Sequence, residues 1–428
     1  MLIMVNFEWY SKDLILNISI IVFFLMFCMI SLVVFVIIRS LFKKTKYTKY
    51  EPSISILIPA YNEEKNIEET LNSVFASTYP KKKLEVIVID DGSTDNTLGI
   101  LERLKKRYSN LVILKGNHKG KSASLNLGLK HSSHDYILLI DADTTIRSDA
   151  IAKIISPFND KSVGATTGSC LVKNSKGILG AFQEVEYPYI NLIRKSFSDV
   201  FSNVSWFLGA FSCYRKDVLK SIGNFKKDTQ SEDIDTSLEI YSKGYKILNV
   251  FDAYAYTTIP LTIKGFVKQR IRWYVGVLQV MKKHKKVFSS KTSFAINYLF
   301  INQVWWTIYA FLSIPLIAYQ YNYWLNLNSG SFFEWFMYTF NWFSFFGSVK
   351  VIYMIPVWGI SLVSLFGVLA GIVSLYVMIY AIYVFDKKMS LKKVFALLFY
   401  FPYTIFLNVV VIIGFFNYLL FGKKYFKK

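Results

Sequence analysis

The sequence predicts an α/β domain set between transmembrane helices, and three observations carry that expectation. Of 428 residues, 53% are hydrophobic and 18% aromatic, with a mean hydropathy of +0.33, a balance unlike that of an ordinary soluble chain. Residues 14–38 run without a charge, long enough to cross a bilayer at about 1.5 Å rise per residue. From residue 51 to about 286, short β-rich apolar runs alternate with amphipathic stretches, the pattern of a mostly parallel sheet covered by helices.

Residues 14–38 are too long for a signal-peptide core and lack a small-residue cleavage site, so they read as a retained anchor. Arg39, Lys43, Lys44, Lys46 and Lys49 follow it, whereas Lys12 alone precedes it within reach. The positive-inside rule then puts the amino terminus outside and the chain from about residue 43 in the cytoplasm. In the middle part, strands are expected at 53–58, 84–89, 111–114, 136–140 and 163–168, with helices beginning near Glu63, Asp95, Lys121 and Ser148. Residues 264–286 read as a basic amphipathic helix at the membrane interface, with Phe266, Val267, Ile271, Tyr274, Val275 and Leu278 apolar and Lys268, Arg270, Arg272 and Lys282 polar.

Beyond it, residues 294–319, 357–384 and 394–421 are each long enough to span, and 332–349 is a marginal run containing Glu334. The count is four spans, with five open. Lys387, Lys388, Lys392 and Lys393 flank one side of the last run and Lys423, Lys424, Lys427 and Lys428 the other, and one crossing cannot put both clusters inside. Either 394–421 is re-entrant with a break at Pro402, or one cluster faces out. The expected parts are thus an anchor (1–42), a cytoplasmic domain (43–262), an interfacial helix (263–291) and carboxy-terminal spans (292–428).

The formal net charge of +21 suits an anionic membrane surface or a phosphate-bearing ligand. Nucleic acid is disfavoured, because lysines crowd the edges of apolar spans. Cys28, Cys170 and Cys213 have no metal-ligand spacing and cannot all pair, so free thiols in a reducing compartment are expected.

Chemistry concentrates at the strand exits. The run YILLIDADT ends the fourth strand with Asp141 and Asp143. If the chain stays extended there, both side chains point the same way and can share Mg²⁺ or Mn²⁺; alone, an Asp-x-Asp is more often a solvated loop. The first strand runs into PAYNEE and the second into DDGSTD, on the same edge of an α/β sheet, where ligands sit. After the third, KGNHKGK precedes a helix and offers lysines and backbone donors to phosphate, although such loops are usually just solvated. The chain contains neither G-x-x-x-x-G-K-[ST] nor G-x-G-x-x-G, which disfavours standard triphosphate and dinucleotide sites. Glu232, Asp233 and Asp235 open a helix, more acids than a cap needs, and one beside a phosphate can act as a general base. Gln269, Arg272 and Trp273 fall at i, i+3 and i+4, on one helical face.

In the order PAYNEE, DDGSTD, GKSASLN, DADT, SED and QRIRW, the chain resembles the membrane-integrated family 2 glycosyltransferases, which include cellulose, hyaluronan, chitin and poly-β-1,6-N-acetylglucosamine synthases. The resemblance implies an α/β GT-A domain inserted between transmembrane α-helices, in the plasma membrane. It implies inverting, processive transfer from a nucleotide-diphospho-sugar such as UDP-GlcNAc to a growing β-linked polysaccharide, with Mg²⁺ or Mn²⁺ as cofactor. Residue by residue, it assigns Tyr61, Glu63 and Asp91 to the uridine end, Lys121 and Asp141 to the nucleotide, and Asp143 with Asp141 to the metal. Asp233 is then the general base, and Gln269, Arg272 and Trp273 serve diphosphate and acceptor. Trp206 and Gly209 lie beside the acceptor, with Leu208 where the family carries a small or serine-like residue. The implied partners are the nucleotide-sugar donor, a polysaccharide or lipid-linked acceptor and membrane lipid. No cyclic-dinucleotide-binding domain is expected after the last span, so regulation of that kind calls for an accessory membrane protein. Two other readings stay open: a non-processive transferase that adds one sugar to a polyprenyl phosphate or other lipid, and a non-catalytic membrane scaffold, which conflicts with the complete set of acids.

Overall fold

The computed structural model describes residues 2–43, 47–324 and 331–421. Among these, eight strands form one sheet: β1 (Ile54–Ala60), β2 (Leu84–Asp90), β3 (Leu111–Lys115), β4 (Tyr136–Ile140), β5 (Thr144–Ile146), β6 (Val163–Val172), β7 (Phe211–Arg215) and β8 (Lys246–Thr257). Their order across the sheet is β3-β2-β1-β4-β7-β6-β8-β5. The first four run parallel, while β7 is antiparallel to both neighbours. On the far side β6 and β8 run parallel and β5 antiparallel to β8. The sheet is therefore mixed, with its parallel half built from the first four expected strands.

Of these, β1, β2 and β4 read as continuous apolar runs because both their faces are covered, whereas β3 is an edge strand with Val112 exposed. On β1, Ile54, Ile56 and Ile58 turn to one side and pack with Ile67, Leu71 and Val74 of helix Ile67–Phe75. Leu57 turns to the other, against Leu125 and Leu129 of helix Lys121–His131. All four strand residues are fully buried, each stabilising the fold by roughly 1.5–3 kcal/mol relative to exposure. The second core continues through Ile234 and Leu238 to Val277 and Val280, so it ties helices Glu232–Ser242 and Ile263–Lys283 to the sheet.

Among the described residues, four helices are long and apolar enough to cross a membrane: Leu14–Leu41, Phe294–Tyr319, Leu362–Phe385 and Tyr400–Leu420. The domain docks on them through helix Gly177–Phe201, where Leu192, Ile193 and Phe197 pack against Val36, Ala295 and Ala381. Lys43, one of the basic residues after the anchor, donates to the Val200 carbonyl at 2.9 Å; its neighbours Lys44 and Lys46 lie outside the described residues.

Three sequence expectations change. The run 394–421 is two helices, Leu391–Leu398 and Tyr400–Phe421, and the break falls at Phe399. Pro402 sits in the first turn of the second helix, where its missing N–H is no loss. Lys393 is only 4% exposed and bonds the half-buried Asp386 at 2.5 Å, so its charge is paired inside the fold and is no surface topology signal; Lys423, Lys424, Lys427 and Lys428 lie outside the described residues. The run 357–384 begins later, at Leu362, because Gly359 (φ +73°) ends the preceding helix, Phe346–Trp358. The marginal run resolves into Phe332–Trp342 and the start of Phe346–Trp358, and Glu334 is the N3 residue of a capping box with Ser331.

Candidate active site

The sequence-marked exits converge on one edge. Tyr61 and Glu63 follow β1, Asp91 follows β2, Lys121 opens the helix after β3, and Asp141 and Asp143 follow β4. Because β7 runs antiparallel to β4, its start lies at the same edge, and the Asp141 N–H donates to the Ala210 carbonyl at 3.1 Å. That contact brings Gly209 beside the aspartates.

The first two exits are stitched together. The Asn62 side-chain oxygen, on a residue with φ of +57°, accepts from the Thr94 N–H at 2.8 Å, and the Asn62 N–H donates to Ser93 Oγ at 3.0 Å. Asp91 is buried and holds the lysine loop from inside, accepting from the Gly120 N–H at 2.8 Å and the Lys119 N–H at 3.2 Å. The loop's His118 then meets the Tyr61 ring at 4.4 Å between centroids.

Asp141 and Asp143 do not sit on an extended segment. The Thr144 N–H donates to the Asp141 carbonyl at 3.0 Å and closes a turn, so it is a turn, and no i, i+2 alternation, that sets their directions. Lys121 Nζ reaches Asp141 Oδ1 at 2.6 Å and Glu232 Oε1 at 3.1 Å. Burial works against the ammonium, but Asp141 and Glu232 outweigh it and hold its pKa above the ordinary lysine value. Asp143 is raised to about 6 by burial and by the charges of Asp141 and Glu63, against a hydrogen bond from Thr144 and the pull of Lys121.

The three acids that open helix Glu232–Ser242 point to three different partners. Glu232 pairs with Lys121. Asp233 accepts from the Gly209 N–H at 2.8 Å, and burial with the neighbouring Glu232 raises it to about 6, against Lys121 and the Ile234 and Gly209 N–H groups. The approach is so close that a Cβ on residue 209 would lie 2.8 Å from Asp233 Cβ; only glycine fits. Asp235 turns away from the edge, fully buried against His284 Nε2 at 2.6 Å and Lys283 Nζ at 2.8 Å. Asp235, Glu239 and His284 bring metal-capable atoms within 4.8 Å of one another, but the Lys283 ammonium already bonds both carboxylates and supplies the cation.

The segment before Gly209 is held from behind by Arg194, which the sequence reading overlooked. It is 2% exposed and donates from Nε to the Trp206 carbonyl at 2.9 Å and from Nη2 to Thr167 Oγ1 at 2.9 Å, while Thr167 donates to the Leu208 carbonyl at 2.9 Å. Burial lowers its pKa to about 10. The Trp206 ring meets Tyr298 edge-on at 5.7 Å, on a membrane-capable helix.

Residues 55–223 match the model of glycosyl transferase family 2. These residues form a family 2 glycosyl transferase domain. The match contains Tyr61, Glu63, Asp91, Lys121, Asp141, Asp143, Trp206 and Gly209, and ends before Asp233. Among curated relatives, poly-β-1,6-N-acetyl-D-glucosamine synthase of Staphylococcus epidermidis (strain RP62A) is 35% identical over 244 residues, 57% of this chain and 58% of that protein. The synthase of Staphylococcus aureus (strain COL) is 35% identical over 230 residues, 53% of this chain and 55% of that protein. The chain thus spans little more than half the length of the curated relatives it matches. A mannosyltransferase from Pyrobaculum calidifontis, solved in complex with GDP-Man and Mn²⁺, superposes with a TM-score of 0.63 at 19% identity, covering 95% of this chain and 99% of that one. The fold of the family 2 domain is accordingly GT-A, a mixed curled sheet flanked by apolar helices.

Helix Ile263–Lys283 packs on the family 2 domain and on the membrane-capable helices. At Gly276 a Cβ would fall 2.2 Å from Ser231 Oγ, and Gln279 accepts from the Gln230 N–H at 2.9 Å. On its other side Tyr274 bonds Thr307 at 2.9 Å, and Ile271, Tyr274 and Val275 pack with Val410. Arg272 is exposed, Trp273 is half-buried, and Gln269 Oε1 is buried without a hydrogen-bond partner among the described residues. Arg270, expected on the polar face, is instead 8% exposed and pairs with Glu186 at 2.7 Å.

Proposed function

We propose that the chain is an inverting, processive membrane glycosyltransferase. It moves a sugar from a UDP-sugar, UDP-GlcNAc by analogy with the curated relatives, to a hydroxyl of a growing β-linked polysaccharide. The observation that carries the reading is Asp233: a half-buried carboxylate with a pKa raised to about 6, fixed by the Gly209 N–H, beside Lys121 and the two aspartates after β4. The basic residues after the anchor support a cytoplasmic catalytic domain, the side on which nucleotide sugars occur, in a multi-pass plasma-membrane protein.

The donor set fits a hard divalent cation, since Asp141, Asp143 and Glu63 crowd negative charge that Lys121 and a hydrogen bond from Thr144 offset only in part. Asp143, with Asp141, would hold Mg²⁺ or Mn²⁺, which when bound supplies charge stabilisation for the departing diphosphate. Tyr61, Glu63 and Asp91 serve the uridine end, and Lys121 and Arg272 meet phosphate oxygens. Asp233 takes the proton of the acceptor hydroxyl as that oxygen attacks the anomeric carbon and the nucleoside diphosphate leaves from the opposite face. One displacement inverts the configuration, so an α-linked donor gives a β-linkage. Gln269, Trp273, Trp206 and Gly209 border the acceptor.

The sign of the pH dependence follows from Asp233. Its pKa is raised, so the ionised base is lost as pH falls through about 6, well above the usual carboxylate range. At saturating donor and metal, turnover is expected to fall about tenfold per pH unit below that point, read from nucleotide release across pH 4.5–8; a plateau continuing down to about 4.5 contradicts the base assignment. If Trp273 is one wall of the acceptor site, its stacking holds the chain with about 0.5–1.5 kcal/mol beyond area burial. Trp273→Ala is therefore expected to keep nucleotide affinity but to give short products or donor hydrolysis, read by gel or mass spectrometry. The reading as a whole is tested by nucleotide release from the full chain in lipid with a panel of nucleotide sugars and Mg²⁺ or Mn²⁺. Release with a UDP-sugar supports it, and no release with any donor favours the scaffold.

A further inference from the structure

We propose that Arg270, clamped by Glu186 and Tyr403, is a positioning residue that fixes the indole of Trp273 and so governs product length; this rests on the reading of Trp273 as the acceptor wall. Helix Ile263–Lys283 carries Phe266, Arg270 and Trp273 at i, i+4 and i+7, one face of a helix. The Arg270 guanidinium carbon lies 4.7 Å from the Phe266 ring centroid and 4.5 Å from that of Trp273, so one planar cation contacts both rings. Its Nη2 bonds Glu186 Oε2 at 2.7 Å, and the Tyr403 hydroxyl donates to the same oxygen at 2.6 Å. The three residues are 8%, 7% and 3% exposed. The Arg270 Nε is buried with no hydrogen bond among the described residues, so the guanidinium is oriented by its rings and one carboxylate and not by filling its donors.

Each partner comes from a different element. Glu186 lies on helix Gly177–Phe201, which docks the family 2 domain on the membrane-capable helices. Tyr403 lies in the first turns of Tyr400–Phe421, its ring stacked on Phe182 at 4.8 Å and 3°. A buried ion pair costs desolvation that an apolar pair of the same volume avoids, so it is weak as a source of stability. What a planar, bonded guanidinium adds is orientation, and a lysine ammonium in its place keeps the charge and loses the plane. The last membrane-capable helix, through Tyr403, thereby sets the wall against which the growing chain rests.

The test compares Arg270→Lys and Tyr403→Phe with Trp273→Ala in the full chain in lipid, with UDP-GlcNAc and Mn²⁺. Product length, donor KM and thermal stability are measured together. Arg270→Lys is expected to shorten the polymer several-fold with donor KM within about twofold of wild type, Tyr403→Phe to shorten it less, and Arg270→Lys to add nothing in a Trp273→Ala background. Wild-type length in a folded Arg270→Lys variant, or shortening that simply adds to that of Trp273→Ala, overturns the proposal while leaving the acceptor reading intact. Wild-type length in Trp273→Ala, or no polymer from the wild-type chain, overturns both.

Discussion

Asp233→Asn is expected to slow sugar transfer by a factor on the order of a hundred or more while donor affinity stays nearly intact, the usual consequence of losing a general base. Asparagine keeps the volume and can still accept from the Gly209 N–H, the 2.8 Å contact that aims the side chain, so the site should keep its shape. What it cannot do is take a proton. Burial and Glu232 raise the Asp233 pKa to about 6, which makes its carboxylate a stronger base than a solvated aspartate and still ionised at neutral pH. The measurements are transfer rate at saturating donor and nucleotide affinity by calorimetry. Lost donor binding with unchanged turnover would make Asp233 a ligand contact.

Asp143→Asn is expected to collapse turnover at low Mn²⁺ and to remove the metal dependence of nucleotide binding. The carboxylate is pushed up to about 6 by burial, Asp141 and Glu63, a clustering of negative charge that a hard cation relieves. Asparagine offers one neutral oxygen in place of a charged carboxylate, with little change in volume. Near-normal turnover at low Mn²⁺ in this variant would contradict the metal assignment.

Much of the fold was legible in the sequence where one physical signal acted alone. β1, β2 and β4 read clearly because burial on both faces makes them unbroken apolar runs. β5, β7 and β8 did not. β5 has three residues, too few for a pattern, and β8 carries Asn249, whose buried side chain donates to the Thr167 and Gly168 carbonyls at 3.2 Å, so a polar residue breaks the apolar run from within. At the site, residue type and order singled out Asp141, Asp143 and Asp233, yet not the turn closed by the Thr144 N–H or the tertiary bond from the Asp141 N–H to Ala210 that brings Gly209 alongside. Arg194 and Arg270 were missed or misassigned for the same reason: their partners lie on other elements, Trp206 and Thr167 for one and Glu186, 84 residues away, for the other. In one dimension each looks like an ordinary charge on a helix.

The most direct test of the account is the length of the product at low donor conversion. The full chain in lipid, given UDP-GlcNAc and Mg²⁺ or Mn²⁺, is sampled while most donor remains, and the products are sized by gel and mass spectrometry beside nucleotide release. Processive transfer along an acceptor site walled by Trp273 gives long β-linked chains from the earliest samples, with few intermediates. A single glycosylated lipid that accumulates without further extension, whatever the donor concentration, contradicts it and identifies a transferase with a lipid acceptor instead.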